Sequence, residues 1–158
     1  MFLKGIVTAF LILVSTTVFA ESIDTQLKCL AENIYYEAGQ EDFSGKVAVA
    51  QVTINRTETI QFPSTICGVV QQRTRIGSQI FCQFSWNCNK SHKIDTSSYA
   101  WKDSLNIAEQ VMFNGLRLDG MEQALYFHNT VIKPNWNLER ISKIGNHIFY
   151  GNKRKHNK

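Results

Sequence analysis

The chain has 158 residues, 44% of them hydrophobic, with 17 Lys+Arg against 13 Asp+Glu and a formal net charge of +4. That is enough apolar sequence for one packed domain and too much for a disordered chain. The positive excess is small and largely terminal, and no basic stripe runs along an element, which argues against a nucleic-acid partner.

Residues 1–20 come first. Met1–Lys4 carries one positive charge, Gly5–Phe19 is apolar, and Val18-Phe19-Ala20 offers small residues where a signal peptidase cuts. The pattern predicts a secretory signal peptide removed after Ala20. The alternative is a retained anchor, although the run is shorter than the ~20 residues a spanning helix needs. An exported protein, periplasmic or extracellular, is expected. Residues 21–152 read as one domain without repeats or linkers. Lys153 to Lys158 form a basic tail that either steers the protein to an anionic cell envelope surface or is a solvated terminus.

Within the domain, Leu27, Leu30, Ala31, Ile34 and Ala38 recur at helical steps and predict a helix from Asp24 to Ala38, capped by Asp24 and ended at Gly39. Ser44 to Asn55 predicts a second helix with Val47, Ala50 and Ile54 inward, but the alternation Val47-Ala48-Val49-Ala50 also permits a strand. Ser64 is expected to cap a short helix over 65–72. Residues 73–95 read as a long polar and aromatic loop, ordered and functional rather than disordered. Ser97 to Asn114 predicts a third main helix with Trp101 in the core and Gly115 as its stop. Ala124 to His128 and His147 to Tyr150 are aromatic and β-like, and pair as two strands across a turn at 133–136. The fold class is α+β: mainly helical, with a small antiparallel β element near the C-terminus.

Four cysteines, Cys29, Cys67, Cys82 and Cys88, all lie beyond residue 20. An even count in an exported chain suggests two disulfides, and four cysteines allow three pairings. The short loop between Cys82 and Cys88 favours that pair and leaves Cys29 with Cys67. No CxxC pair and no histidine at ligand spacing supports a metal site, and no oxygen-rich loop of the EF-hand type is present. No metal and no cofactor is expected. A free nucleophilic cysteine would need a nearby histidine.

On the first helix, at about 100° per residue, Glu32 points to solvent and Glu37 falls at the edge of the apolar stripe. A half-desolvated carboxylate there has a raised pKa and can donate a proton to a leaving oxygen, as glycoside cleavage requires. The alternative is an ordinary surface glutamate at a helix end.

The stretch Ala31-Glu32-Asn33-Ile34-Tyr35-Tyr36-Glu37-Ala38-Gly39-Gln40-Glu41 resembles the opening motif of SleB-type cell wall hydrolases. Gly45 to Arg56, Phe62 to Gln71, Gln83-Phe84-Ser85-Trp86, Ala124 to Asn129, Pro134-Asn135-Trp136 and Gly145 to Tyr150 are similar to later blocks of that family, in order across Leu27–Tyr150. The resemblance implies a lysozyme-like domain that cuts peptidoglycan glycan strands between N-acetylmuramic acid and N-acetylglucosamine, with the family's catalytic glutamate at Glu37. Where the family motif has Arg-Gly, this chain has Gly39-Gln40, so the positive charge usually beside the acid is missing.

Glu41 and Asp42 are candidates for a second carboxylate. A lytic transglycosylase needs only one acid and leaves 1,6-anhydromuramyl ends, and family members are described as transglycosylases, so that route is preferred over a muramidase-type hydrolysis. Trp86, Tyr126 and Trp136 are candidates to stack on sugars or to pack structurally. Gln71, Gln83 and Ser85 are candidates to bond acetamido groups or to be solvated. His128 either orients substrate or is satisfied by backbone, and His147 packs beside Phe149. Peptidoglycan is the expected partner and a monomer the expected state. The rivals are a non-catalytic glycan-binding module and a cysteine peptidase using Cys67 or Cys82 with His128.

Overall fold

The computed structural model describes residues 22–89 and 93–153. The expected signal peptide over 1–20 and most of the expected basic tail lie outside the described residues. Among those described, no helix is long and apolar enough to cross a membrane.

Among the described residues five helices and two small sheets follow one another: α1 (Ile23–Ala38), α2 (Phe43–Thr57), α3 (Ile66–Val70), β1 (Arg73–Ile76), β2 (Gln79–Cys82), α4 (Ser85–Cys88), α5 (Tyr99–Phe113), β3 (Tyr126–Asn129), β4 (Glu139–Ile144) and β5 (His147–Gly151). The α+β class holds. Helix caps differ from the expected ones by a residue or two. Ser22, not Asp24, caps α1 by accepting from the Thr25 amide, and Thr65, not Ser64, caps α3 by accepting from the Gly68 amide. The reason is geometric: a cap needs extended dihedrals directly before the first helical residue, and Ser22 (φ −61°, ψ 150°) and Thr65 (φ −121°, ψ 150°) have them.

α2 is the axis of the molecule. Every residue from Gly45 to Arg56 is buried, so the helix has no solvent face. That is why its sequence carries no clean period and also permits a strand. One core forms where Leu30 and Ile34 of α1 meet Val47 and Ala50 of α2, Val69 of α3, and Ile107 and Val111 of α5. A second lies between the opposite face of α2 and the sheet, around Val49, Val52, Met121 and Phe149. Asn55 and Gln51 of α2 are satisfied as burial requires. Asn55 Nδ2 donates to the carbonyls of Met121 (2.8 Å) and Ala124 (2.9 Å), and the Gln51 side chain accepts from the Leu118 amide at 2.8 Å. These bonds hold the irregular stretch 116–125 against the helix without secondary structure of its own. Lys46 donates to Asp103 at 2.6 Å and ties α2 to α5.

Two departures concern strands. Residues 73–95 are not a loop throughout: β1 and β2 form an antiparallel hairpin around Gly77-Ser78, followed by the single turn α4. The C-terminal sheet has three strands in the order β3-β5-β4, so β4 joins the expected pair. Its bulge falls between Arg140 and Ser142. α5 ends as expected, with Gly115 at φ +67° just beyond it.

Candidate active site

Glu37 lies in the last turn of α1, where the helix meets the C-terminal sheet. It opens into a cleft of about 470 Å³ with Tyr35 and Tyr36 on its own side and Asn129, Asn146 and His147 opposite. Among the described residues no hydrogen bond or ion pair reaches its carboxylate. Burial raises its pKa from 4.5 to about 7, against the opposing pull of the Arg56 charge. A carboxyl so poised is half protonated at neutral pH and uncommitted, which suits proton transfer in both directions.

Arg56 is the charge that sequence reading missed. It sits at the end of α2 with 2% exposure. Its Nε donates to the Leu125 carbonyl at 2.7 Å, while Nη1 has no partner. The rings of Phe62, Phe84 and Tyr126 enclose the guanidinium at 5.2, 5.3 and 5.9 Å. Burial lowers its pKa to about 10, with Tyr126 and Glu37 pulling the other way. The positive charge absent beside Glu37 in sequence is therefore supplied from the neighbouring helix. One signal was available: an arginine in a helix rich in valine and alanine is buried only for a reason.

Glu41 shares the cleft but its carboxylate is committed. It accepts from the Asn146 amide at 3.0 Å and from Asn146 Nδ2 at 3.1 Å, and lies 3.9 Å from His147 Nδ1. Two glycines make its seat: a Cβ on Gly145, itself at φ +55°, would collide with the Glu41 carboxylate, and one on Gly45 would come within 2.7 Å of the Glu41 Cβ. His147 is buried, and desolvation lowers its pKa against the pull of Glu41, with His128 adding to the lowering. Asp42 caps α2 through the Gly45 amide at 2.8 Å.

All four cysteines are paired, Cys29 with Cys67 and Cys82 with Cys88. A cysteine peptidase has no thiolate to use here, so that rival falls. Among the described residues no cluster of three or more His, Cys, Asp or Glu is placed to hold a metal.

Residues 40–150 match the profile of the cell wall hydrolase family. The chain belongs to that family. As a cell wall hydrolase it is 30% identical over 129 residues to a spore cortex-lytic enzyme of Bacillus subtilis (strain 168), over 80% of this chain and 37% of the relative. It is 29% identical over 126 residues to a spore cortex-lytic enzyme of Bacillus cereus, over 78% of this chain and 43% of the relative. The chain thus spans less than half the length of these relatives. Its fold matches the catalytic domain of the germination-specific lytic transglycosylase SleB from Bacillus anthracis with a TM-score of 0.60 at 28% identity, covering 84% of this chain and 98% of that one. The catalytic domain of the Bacillus cereus SleB protein matches with a TM-score of 0.57 at 28% identity, covering 79% and 88%.

The remaining candidates of this cell wall hydrolase fall into three places. Trp86 stacks on Tyr36 at 4.5 Å and 21°, and its Nε1 donates to Asn33 Oδ1 at 3.2 Å; Gln71 lines the same cavity. Gln83 and Ser85 are exposed at the entry to α4 and line neither that cavity nor the Glu37 cleft. Tyr126, His128 and Trp136 form a separate aromatic group with Tyr150. Both His128 nitrogens are occupied, Nδ1 by the Asn129 carbonyl at 2.8 Å and Nε2 by the Tyr150 hydroxyl at 3.0 Å. His147 packs near Phe149 at 6.1 Å, as expected, while also facing Glu41. Two expectations change. Trp101 is half-buried and lines a cavity rather than lying wholly in the core, and Glu32 is half-buried beside it rather than pointing free into solvent.

Proposed function

We propose that this chain cleaves peptidoglycan glycan strands between N-acetylmuramic acid and N-acetylglucosamine as a lytic transglycosylase, outside the cytoplasm, with Glu37 as its acid and then its base. The observation that carries this is the uncommitted, half-buried carboxyl of Glu37 at a pKa of about 7 on the wall of a cleft. Family membership and the SleB catalytic domains named above support the substrate class.

Protonated Glu37 donates to the glycosidic oxygen as the bond to C1 of the muramoyl sugar breaks. The developing carboxylate is held by the Arg56 charge. It then takes the proton of the muramoyl 6-hydroxyl as that oxygen closes onto C1, so a 1,6-anhydro sugar leaves and Glu37 returns to its acid form. Hydrolysis requires a second carboxylate or a placed water, with the two acids roughly 5 Å or 6.5–9.5 Å apart. The commitment of Glu41 to Asn146 favours the one-acid route.

Mass spectrometry of purified peptidoglycan digested by the protein and by Glu37→Gln tests this. Anhydromuramyl ends from the wild type alone are expected. Reducing muramyl ends would replace transglycosylation with muramidase action. Binding without cleavage would leave a glycan-binding module, and cleaved stems with intact glycans would overturn the glycosidic reading altogether.

A further inference from the structure

A second cavity of about 360 Å³ opens along α1 beside the Glu37 cleft, and Tyr36 lines both. Tyr36, Trp86 and Trp101 wall it, and Lys28, Glu32 and Lys93 stand among its lining residues. Trp86 does not drift on this surface: its ring is stacked on Tyr36, its Nε1 is bonded to Asn33, and α4 beneath it is tied to the hairpin by the Cys82–Cys88 bond. Tyr36, which lines both, is where the cavity meets the cleft.

The charges are asymmetric. Lys28 and Glu32 answer each other at 3.9 Å, whereas among the described residues no ion pair answers Lys93. From Thr59 to Ile94 the sequence contains no Asp or Glu, but includes Arg73, Arg75, Lys90 and Lys93. A cavity with rigid aromatic walls and an uncompensated cation fits a ligand with a flat apolar face and an anionic branch.

We propose that this cavity is a subsite for an N-acetylated sugar bearing an acidic peptide stem, next along the strand from the bond cut at Glu37, with the aromatic walls taking the pyranose and Lys93 the stem carboxylate. The proposal rests on the glycan-cleaving function proposed above.

Tryptophan fluorescence of the full Glu37→Gln chain, titrated with two soluble probes, tests it. One probe is a neutral N-acetylglucosamine oligomer; the other is a glycan fragment of equal length carrying acidic stems. Both are expected to quench the emission, the stem-bearing one binding about 1.4- to fivefold tighter, the range for one exposed charge pair. Lys93→Gln is expected to abolish that preference and leave the neutral oligomer unaffected. Thr96→Trp, at an exposed position on the lining, is expected to fill the cavity and weaken both. An unchanged preference in Lys93→Gln, or undiminished binding of both probes in Thr96→Trp, would overturn the subsite. Product analysis of wild type and Glu37→Gln in parallel reports on the Glu37 assignment separately, so either can fail while the other stands.

Discussion

At neutral pH an ionised Glu37 burdens the fold. Unfolded, the residue ionises near 4.5; folded, near 7. Between those values the folded chain holds a proton that the unfolded chain has released, so stability falls as pH rises through that window, by at most about 3 kcal/mol. Glu37→Gln is therefore expected to unfold at a higher denaturant concentration than wild type at pH 8 and to lose most of that advantage at pH 4.5, read from midpoints at the two pH values. On the proposed function the same proton sets activity: kcat/KM of the wild type is expected to fall as pH rises through about 7, because in that proposal the acid form of the free enzyme starts the reaction. A residue that weakens the fold at the wall of a cleft fits the role of acid proposed for Glu37.

Elements hold that acid in place, and the two disulfides do so differently. Cys29–Cys67 closes a sequence separation of 38 and joins α1 to α3; Cys82–Cys88 closes a separation of 6 and joins the β1–β2 hairpin to α4. On loop-closure entropy the first contributes about 4 kcal/mol and the second about 2. Replacing both members of the first pair by serine is expected to lower the melting temperature more, while replacing the second pair is expected to lower wall-cleaving activity more, through a loosened Trp86. Thermal melts beside turbidity loss of cell walls separate the two effects. The elements were unevenly legible. α1 and α5 show one buried stripe each, and β3 and β5 show aromatic runs, so each could be read from spacing. β1 is exposed at every position and β4 is half charged, so neither writes an inward face into the sequence. The remaining clues were Gly77-Ser78 and Gly145-Asn146, two-residue turns that could have marked both hairpins. The Glu37 position was legible from its wheel and its motif. The Arg56 charge and the second cavity were not, because they gather residues from α1, α2, α4 and α5 that no local window contains.

Over the whole molecule, the cleft is a junction between the beginning and the end of the domain. Glu41 reaches Asn146 across a sequence separation of 105, and the glycine at 145 is what permits the approach. Gly145→Ala is expected to push the Glu41 carboxylate from its seat, strain the β4–β5 turn and cost roughly 1–3 kcal/mol, the range for a residue held where only glycine fits. Urea unfolding would show the loss, and Gly120→Ala, a positive-φ glycine with nothing near its Cβ, serves as the control for backbone strain alone. A wild-type stability in Gly145→Ala would mean that the Glu41 seat is not confining.

The junction also has an order along the chain. Asn129, Asn146 and His147 follow every helix of the described chain in sequence, and those three residues form the far wall of the cleft. Without that wall, Glu37 faces water on that side and has no reason to hold its proton at neutral pH. The cleft of this chain therefore exists only where its C-terminal sheet meets its first helix.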